Sequence, residues 1–308
     1  MLAKRVYSIR SLRFFLSRLR QPPTIVRRLD SRWNSADIPS PPFPYWKPLG
    51  FTIMTGCAAF GIAKILEYER LKRKSSSFSN LHHEPKYGRI RQKLNTWWAS
   101  LSGVRKVTVG IIAMNSLVLL MWRVPSLNRI MTRWFTSSIA SRSSTPLLLS
   151  CFSHADVWHF ALNMYVLWSF SAAFQNWMSP EEYLATYVTG GVFSSCFSVM
   201  LRAARAVATP SLGASGAILN LLAMTCIAMP DARLAIVFLP FISFSAGMAL
   251  MGIVTLDVAG LLLSWRLFDH AAHLGGVAFG AWYLSYGKNV LWKTYAEKVN
   301  AAWKRLTK

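Results

Sequence analysis

The stretch VTVGIIAMNSLVLLMW, residues 107–122, carries no charge and is apolar nearly throughout. Runs of this kind recur over 49–63, about 156–178, 183–201, 211–229, 246–265 and 270–287. A helix needs about 20 apolar residues to cross the hydrocarbon core, and a barrel strand only about 10. These runs exceed strand length and lack the alternation of a lipid-facing strand, so they predict membrane-spanning helices. Segment 234–245, LAIVFLPFISFS, is too short to cross and contains Pro240, so it reads as interfacial or re-entrant. The spacing predicts an all-α polytopic membrane protein with seven spans, one isolated and six grouped.

Charge agrees with that reading. Only 15% of the residues are charged, against about 25% in soluble domains. The net charge is +23, but the basic residues flank the apolar runs instead of forming one face or tract. That distribution fits contact with anionic lipid headgroups and argues against nucleic acid. Cys57, Cys151, Cys196 and Cys226 form no C-x-x-C pair; they read as small apolar core residues and not as metal ligands or disulfides.

Residues 1–29 contain eight Lys or Arg and no acid, with apolar residues at roughly helical spacing. No secretory apolar core follows, so the composition is that of a mitochondrial presequence. The organisation expected is a presequence and Pro/Ser-rich linker over 1–47, an extra span over 48–66, a basic loop over 67–104, a six-helix core over 105–287 and a basic tail over 288–308. Lys and Arg are nearly balanced between the two sides, so the positive-inside rule does not choose an orientation. The leader is expected to draw the N-terminus into the matrix.

Polar groups at membrane depth are costly and usually functional. His159 and Asn163 lie one turn apart on one span, and Ser215 opens another within Gly213-Ala214-Ser215-Gly216. The last span carries His270, His273, Gly276 and Gly280. Asp257 lies on the span between and is expected to bond to a neighbouring helix or to face a water-filled cavity. His273, Gly276 and Gly280 share a face, and the G-x-x-x-G removes side chains there so that a second backbone can approach. Close packing of that face on the small residues around Ser215 would set hydroxyl against imidazole, the minimal activated nucleophile. The backbone N–H of Ser215, with His159 and Asn163, would then be candidate donors to an oxyanion. A serine, a glycine stripe or a histidine pair alone is commonly plain helix packing; here the joint occurrence on separate spans carries the argument. Gly-Ala-Ser-Gly lacks the G-x-S-x-G spacing and follows no strand, which excludes an α/β-hydrolase.

His154-x4-His159-x3-Asn163, Gly213-Ala214-Ser215-Gly216 and Ala272-His273-x2-Gly276-x3-Gly280, in this order, resemble the motifs of rhomboid intramembrane serine proteases over residues 105–290. NMYVLWSF, PSLGASGAI, RLAIVFLP and DHAAHLGG are similar to the mitochondrial presenilin-associated branch. The resemblance implies a six-helix core preceded by one helix (1+6) and an endopeptidase of the mitochondrial inner membrane with no cofactor and no metal. It implies Ser215 as nucleophile, His273 as general base with no aspartate required, and His159 and Asn163 lining the oxyanion hole. His154, Gly213, Gly276 and Gly280 would be supporting. Trp122-Arg123 matches a pair common in the family's first loop but abuts a span, so it receives no role. Single-span membrane proteins and the lipid bilayer are the expected partners, and self-association or an inner-membrane complex stays open. Three rival readings remain: a catalytically inactive rhomboid-type scaffold, a metal or haem protein ligated by His154, His159, His270 and His273, and a transporter. Against the last two, no H-E-x-x-H and no internal repeat of the spans occur.

Overall fold

The computed structural model describes residues 43–76, 88–154, 156–236, 239–265 and 268–307. Residues 1–42, most of the expected presequence and linker, lie outside them. The described chain is mainly helical. It runs through α1 (Trp46–Ser76), α2 (Arg89–Ser100), α3 (Gly103–Met121), α4 (Asn128–Trp134), α5 (Pro146–Leu149), α6 (Val157–Phe174), α7 (Pro180–Ala204) and α8 (Ser215–Ala228). Strands β1 (Arg233–Ile236) and β2 (Leu239–Ser245) follow, then α9 (Ala246–Leu262), α10 (His270–Trp282), a π-helical stretch over Tyr283–Ala296 and α11 (Glu297–Leu306). Among the described residues, α1, α3 and α7 are long and apolar enough to cross a membrane, and α8 and α9 are shorter apolar helices.

Local chemistry starts five of these helices. Side chains of Ser102, Asp156, Ser179, Ser245 and Asp269 accept first-turn N–H groups of α3, α6, α7, α9 and α10, satisfying donors that have no intrahelical acceptor. Pro180 adds a preset backbone angle at the start of α7. Like α2, α4, α5 and α11, α8 has no side-chain cap, its N-cap Ala214 carrying no polar group.

Every residue of α8 from Gly216 to Cys226 is buried, as expected of a helix that is apolar on all sides. It sits at the centre, in contact with α6, α7, α9 and α10. Its contact with α10 is backbone to backbone. A Cβ on Gly276 would meet the carbonyl oxygen of Gly216, and one on Gly280 that of Asn220. In lipid, where water expulsion does not drive helices together, such small-residue contacts hold a bundle through dispersion and close packing.

The structure adds detail to the expected organisation in four places. First, α1 does not stop with its apolar run but continues to Ser76. Its charged turns are packed: Lys64 pairs with Glu67 and Glu297 at 2.8 Å each, Arg70 pairs with Glu181 at 2.6 Å, and Trp303 Nε1 donates to Glu69 at 3.0 Å. Second, the basic loop contains the helix α2. Third, segment 234–245 forms most of an antiparallel hairpin, with Arg233 opposite Ser245 and an irregularity between Ala235 and Ile236. Its aromatic and β-branched residues favour strand, so the fold is not purely α. Fourth, the basic tail is helical through Leu306 and docks on α1, where Trp292 contacts Phe60 with ring centroids 6.3 Å apart.

Candidate active site

The end of the bundle where α8 begins is built by loops tied to each other. Ser137 and Ser211 exchange backbone N–H···O bonds of 2.7 and 2.8 Å, and Gly213 N–H donates to the Ser150 carbonyl at 3.0 Å. Arg202, at the end of α7, donates to the Thr209 carbonyl at 2.5 Å and to Ser137 Oγ at 3.2 Å. Asp269 accepts the Ser198 hydroxyl at 2.6 Å, caps α10 through Ala272 N–H at 3.0 Å and faces Arg202 at 3.8 Å. Burial alone would raise the Asp269 carboxyl; Arg202 and the hydrogen-bond donors more than offset it and hold the group below the usual carboxylate range. The chain leading into Ser215 and the first turn of α10 are thereby fixed to α7.

Gly213 turns the chain into α8 at φ +148°, a conformation that glycine adopts without strain. A Cβ there would lie 3.2 Å from His159 Cε1, 3.6 Å from His159 Nε2 and 3.5 Å from Ser215 Oγ. The missing side chain thus leaves open the space between imidazole and hydroxyl.

Ser215 is the first residue of α8 and half-buried. Its Oγ stands 2.9 Å from His273 Nε2. His273 Nδ1 lies 3.0 Å from Asp257 Oδ1, and His270 Nδ1 lies 2.7 Å from the same oxygen. An ionised carboxylate only accepts hydrogen bonds, so both Nδ1 atoms carry protons. In a neutral His273 ring this leaves the lone pair on Nε2, 2.9 Å from the Ser215 hydroxyl oxygen. Asp257 is 1% exposed and the His273 side chain 14%. Sequence reasoning set Asp257 outside the pair. It does bond to a neighbouring helix, as expected, but its partner there is the histidine that contacts Ser215. Its spacing to His273 alone does not reveal this, because a chain reversal separates α9 from α10.

His159 and Asn163 stand on the first two turns of α6, and the His159 ring lies beside Gly213. Asn163 Nδ2 donates to the His159 carbonyl at 2.8 Å, which occupies one of its two amide hydrogens. His154 is fully buried and edge-on to His159 and Phe160, with centroids 5.1 and 5.5 Å away. Burial, with the neighbouring His159, pushes it down to about 3, so it packs as a neutral ring. Trp122 Nε1 donates to Ser153 Oγ at 2.8 Å, anchoring the end of α3 to the segment before His154.

Among the described residues, Asp257, His270 and His273 have ligand-type atoms within 4.8 Å of one another. The two N–H···O bonds to Asp257 account for that closeness. Of the four histidines suggested as a ligand set, ring contacts join His154 with His159 and His270 with His273.

An α8 N-terminus without a side-chain cap presents first-turn N–H groups that lack intrahelical acceptors, beside a serine hydroxyl bonded to an imidazole. Such an arrangement suits attack on a carbonyl and stabilisation of the oxyanion that follows.

Residues 141–288 match the rhomboid domain. The chain is 49% identical over 257 residues to the mitochondrial presenilin-associated rhomboid-like protein of Mus musculus, covering 80% of this chain and 68% of that one. The presenilin-associated rhomboid-like protein A of Danio rerio is 42% identical over 289 residues, covering 83% and 75%. The mitochondrial Rhomboid protein 1 of Saccharomyces cerevisiae is 30% identical over 189 residues, covering 59% and 54%.

Proposed function

The chain belongs to the rhomboid family, in its mitochondrial presenilin-associated branch, and from that membership and the 2.9 Å contact of Ser215 with His273 we propose that it is an intramembrane serine endopeptidase. The contact carries the reading, because it puts an acceptor nitrogen on the hydroxyl that must lose its proton.

In the proposed reaction, Ser215 Oγ attacks the carbonyl carbon of a substrate peptide bond while His273 Nε2 takes the hydroxyl proton. The oxyanion is met by first-turn N–H groups of α8 and by His159 and Asn163 on α6. His273 then gives its proton to the leaving amine, and the acyl group stays on Ser215. Water completes the cycle, with His273 again taking a proton and returning it to Oγ. Asp257 fixes the His273 tautomer and balances the positive charge that the ring acquires at each transfer.

The substrate class follows from the setting. Seven helices, α1, α3 and α6 to α10, are proposed to cross the mitochondrial inner membrane, and single-span proteins would present their peptide bonds at the α8 end. A helical peptide bond is shielded by its own turn, so substrates should carry Gly, Pro or Ser near the cut. The test is proteolysis of a reconstituted single-span substrate. Ser215→Ala and His273→Ala should each lower turnover by at least about 10⁴-fold, with chelator causing no change. An active Ser215→Ala enzyme that chelator silences would end the serine-protease reading.

A further inference from the structure

The helix α2, RIRQKLNTWWAS, buries none of its residues against the protein. Even so it has a well-defined apolar face. Ile90, Leu94, Trp97 and Trp98 recur at helical spacing and are 78, 58, 47 and 44% exposed. At 3.6 residues per turn these four fall on one side, with Arg91 and Lys93 at its two edges and Gln92 and Asn95 on the far side. The helix holds Arg89, Arg91 and Lys93 and no acid.

Its position is constrained by the neighbouring helix. Only Leu101 and Ser102 separate α2 from α3. Two residues reach at most about 7 Å. The 19 residues of α3 rise roughly 28 Å, about the thickness of the hydrocarbon core. Gly103 must then lie at the boundary of that core, and α2 within one short link of it. Lys106 in the first turn of α3 also lies over the Trp98 ring at 5.8 Å. This boundary is the one away from Ser215: Arg105 at the start of α3 stacks over Trp168 late in α6, at 4.3 Å, whereas His159 opens α6.

We propose that α2 lies in the plane of the membrane interface, its apolar face in the acyl boundary and its basic edges on anionic lipid headgroups, on the leaflet opposite the Ser215 opening. The apolar stripe supplies insertion, tryptophans prefer that depth, and lysine and arginine at the edges extend their heads to phosphate while their stems stay in the apolar layer. The absence of acid selects anionic over zwitterionic lipid. This rests on α3 crossing the membrane and not on the chemistry of Ser215.

The test uses the full chain in lipid vesicles, with a spin label at one introduced cysteine in a Cys57→Ala background; the other three cysteines are buried. Labels at Leu94 and Trp97 report the apolar face, labels at Gln92 and Asn95 the far face, and a label at Met114, exposed on α3, reports whether that helix is in lipid. Collision rates with oxygen and with a water-soluble nickel complex are compared in phosphatidylcholine with and without phosphatidylglycerol. The expected result is an oxygen-to-nickel ratio several-fold higher at Leu94 and Trp97 than at Gln92 and Asn95. The difference should increase with anionic lipid and shrink in an Arg89→Gln, Lys93→Gln variant. Equal ratios on the two faces while Met114 stays lipid-exposed would overturn the proposal. So would an apolar face shielded from both reagents, which would mean a protein cover such as a second copy, or a difference indifferent to anionic lipid. A water-exposed Met114 would refute the spanning of α3 itself and leave the Ser215 reading to its own test.

Discussion

Two buried polar clusters hold the two ends of this bundle, and only one of them fits the chemistry proposed above. At one end, Asp257, His273 and Ser215 form a line across α9, α10 and α8. At the other, Glu182 near the start of α7 accepts the Tyr283 hydroxyl at 2.9 Å and pairs with Lys288 at 3.1 Å, while Lys288 also donates to the Trp177 carbonyl at 2.9 Å. Both clusters bridge helices distant in sequence. The difference lies in where the line ends. The Glu182 cluster closes on itself, with acid, phenol, ammonium and carbonyl matched, as buried charge requires. The Ser215 line ends at a half-buried hydroxyl beside the open space at Gly213 and a helix N-terminus without a side-chain cap. Under the proposed function, what separates the two clusters is that the Ser215 line ends at a half-buried hydroxyl beside a helix N-terminus; burial alone does not distinguish them.

This comparison is best broken by substitution at each end. Asp257→Ala should have the largest effect of three: a fall in kcat of about 100- to 10,000-fold with KM little changed, because Asp257 acts through His273 and touches no substrate. A normal kcat would show that the tautomer is held by something else. Gly276→Ala comes next. It leaves every reacting group in place, but the new methyl meets the Gly216 carbonyl one residue after Ser215. The helices must part, and a displacement near 1 Å is expected to lower kcat by about 100-fold. Unchanged turnover would mean that α8 and α10 repack without moving Ser215 from His273.

Glu182→Ala should do the reverse. With Lys288 27% exposed, the loss is expected at about 2–4 kcal/mol of stability, below that of a fully buried pair, read as a lower midpoint of thermal unfolding in detergent. Turnover per folded molecule should be near normal. If Glu182→Ala instead abolished turnover while folding was intact, the division between a reactive and a structural end would be wrong.

The two ends also differ in how far they can be read from sequence. Ser215 and His273 are legible because each sits among small residues, at spacings that only close helix packing explains. Gly276 and Gly280 are legible for the same reason, and Gly213 through the family resemblance. Asp257 is visible as a costly acid in an apolar run, but its partner depends on how α9 folds back on α10, which no local spacing encodes. The Glu182 cluster is less legible still, since Glu182 reads as a first-turn acid and Lys288 as the start of a tail. That tail proved helical because its aromatic residues dock on α1, a tertiary contact. The signal for α2 was present in Ile90, Leu94, Trp97 and Trp98; a net basic, serine-rich surrounding segment obscured it.

The most direct test of the central claim, that His273 activates Ser215, is covalent labelling by a fluorophosphonate, followed by peptide mass spectrometry. The account predicts one adduct, on Ser215, formed at a similar rate in Glu182→Ala and lost in His273→Ala. An adduct on another residue, or undiminished labelling of Ser215 without His273, would contradict it.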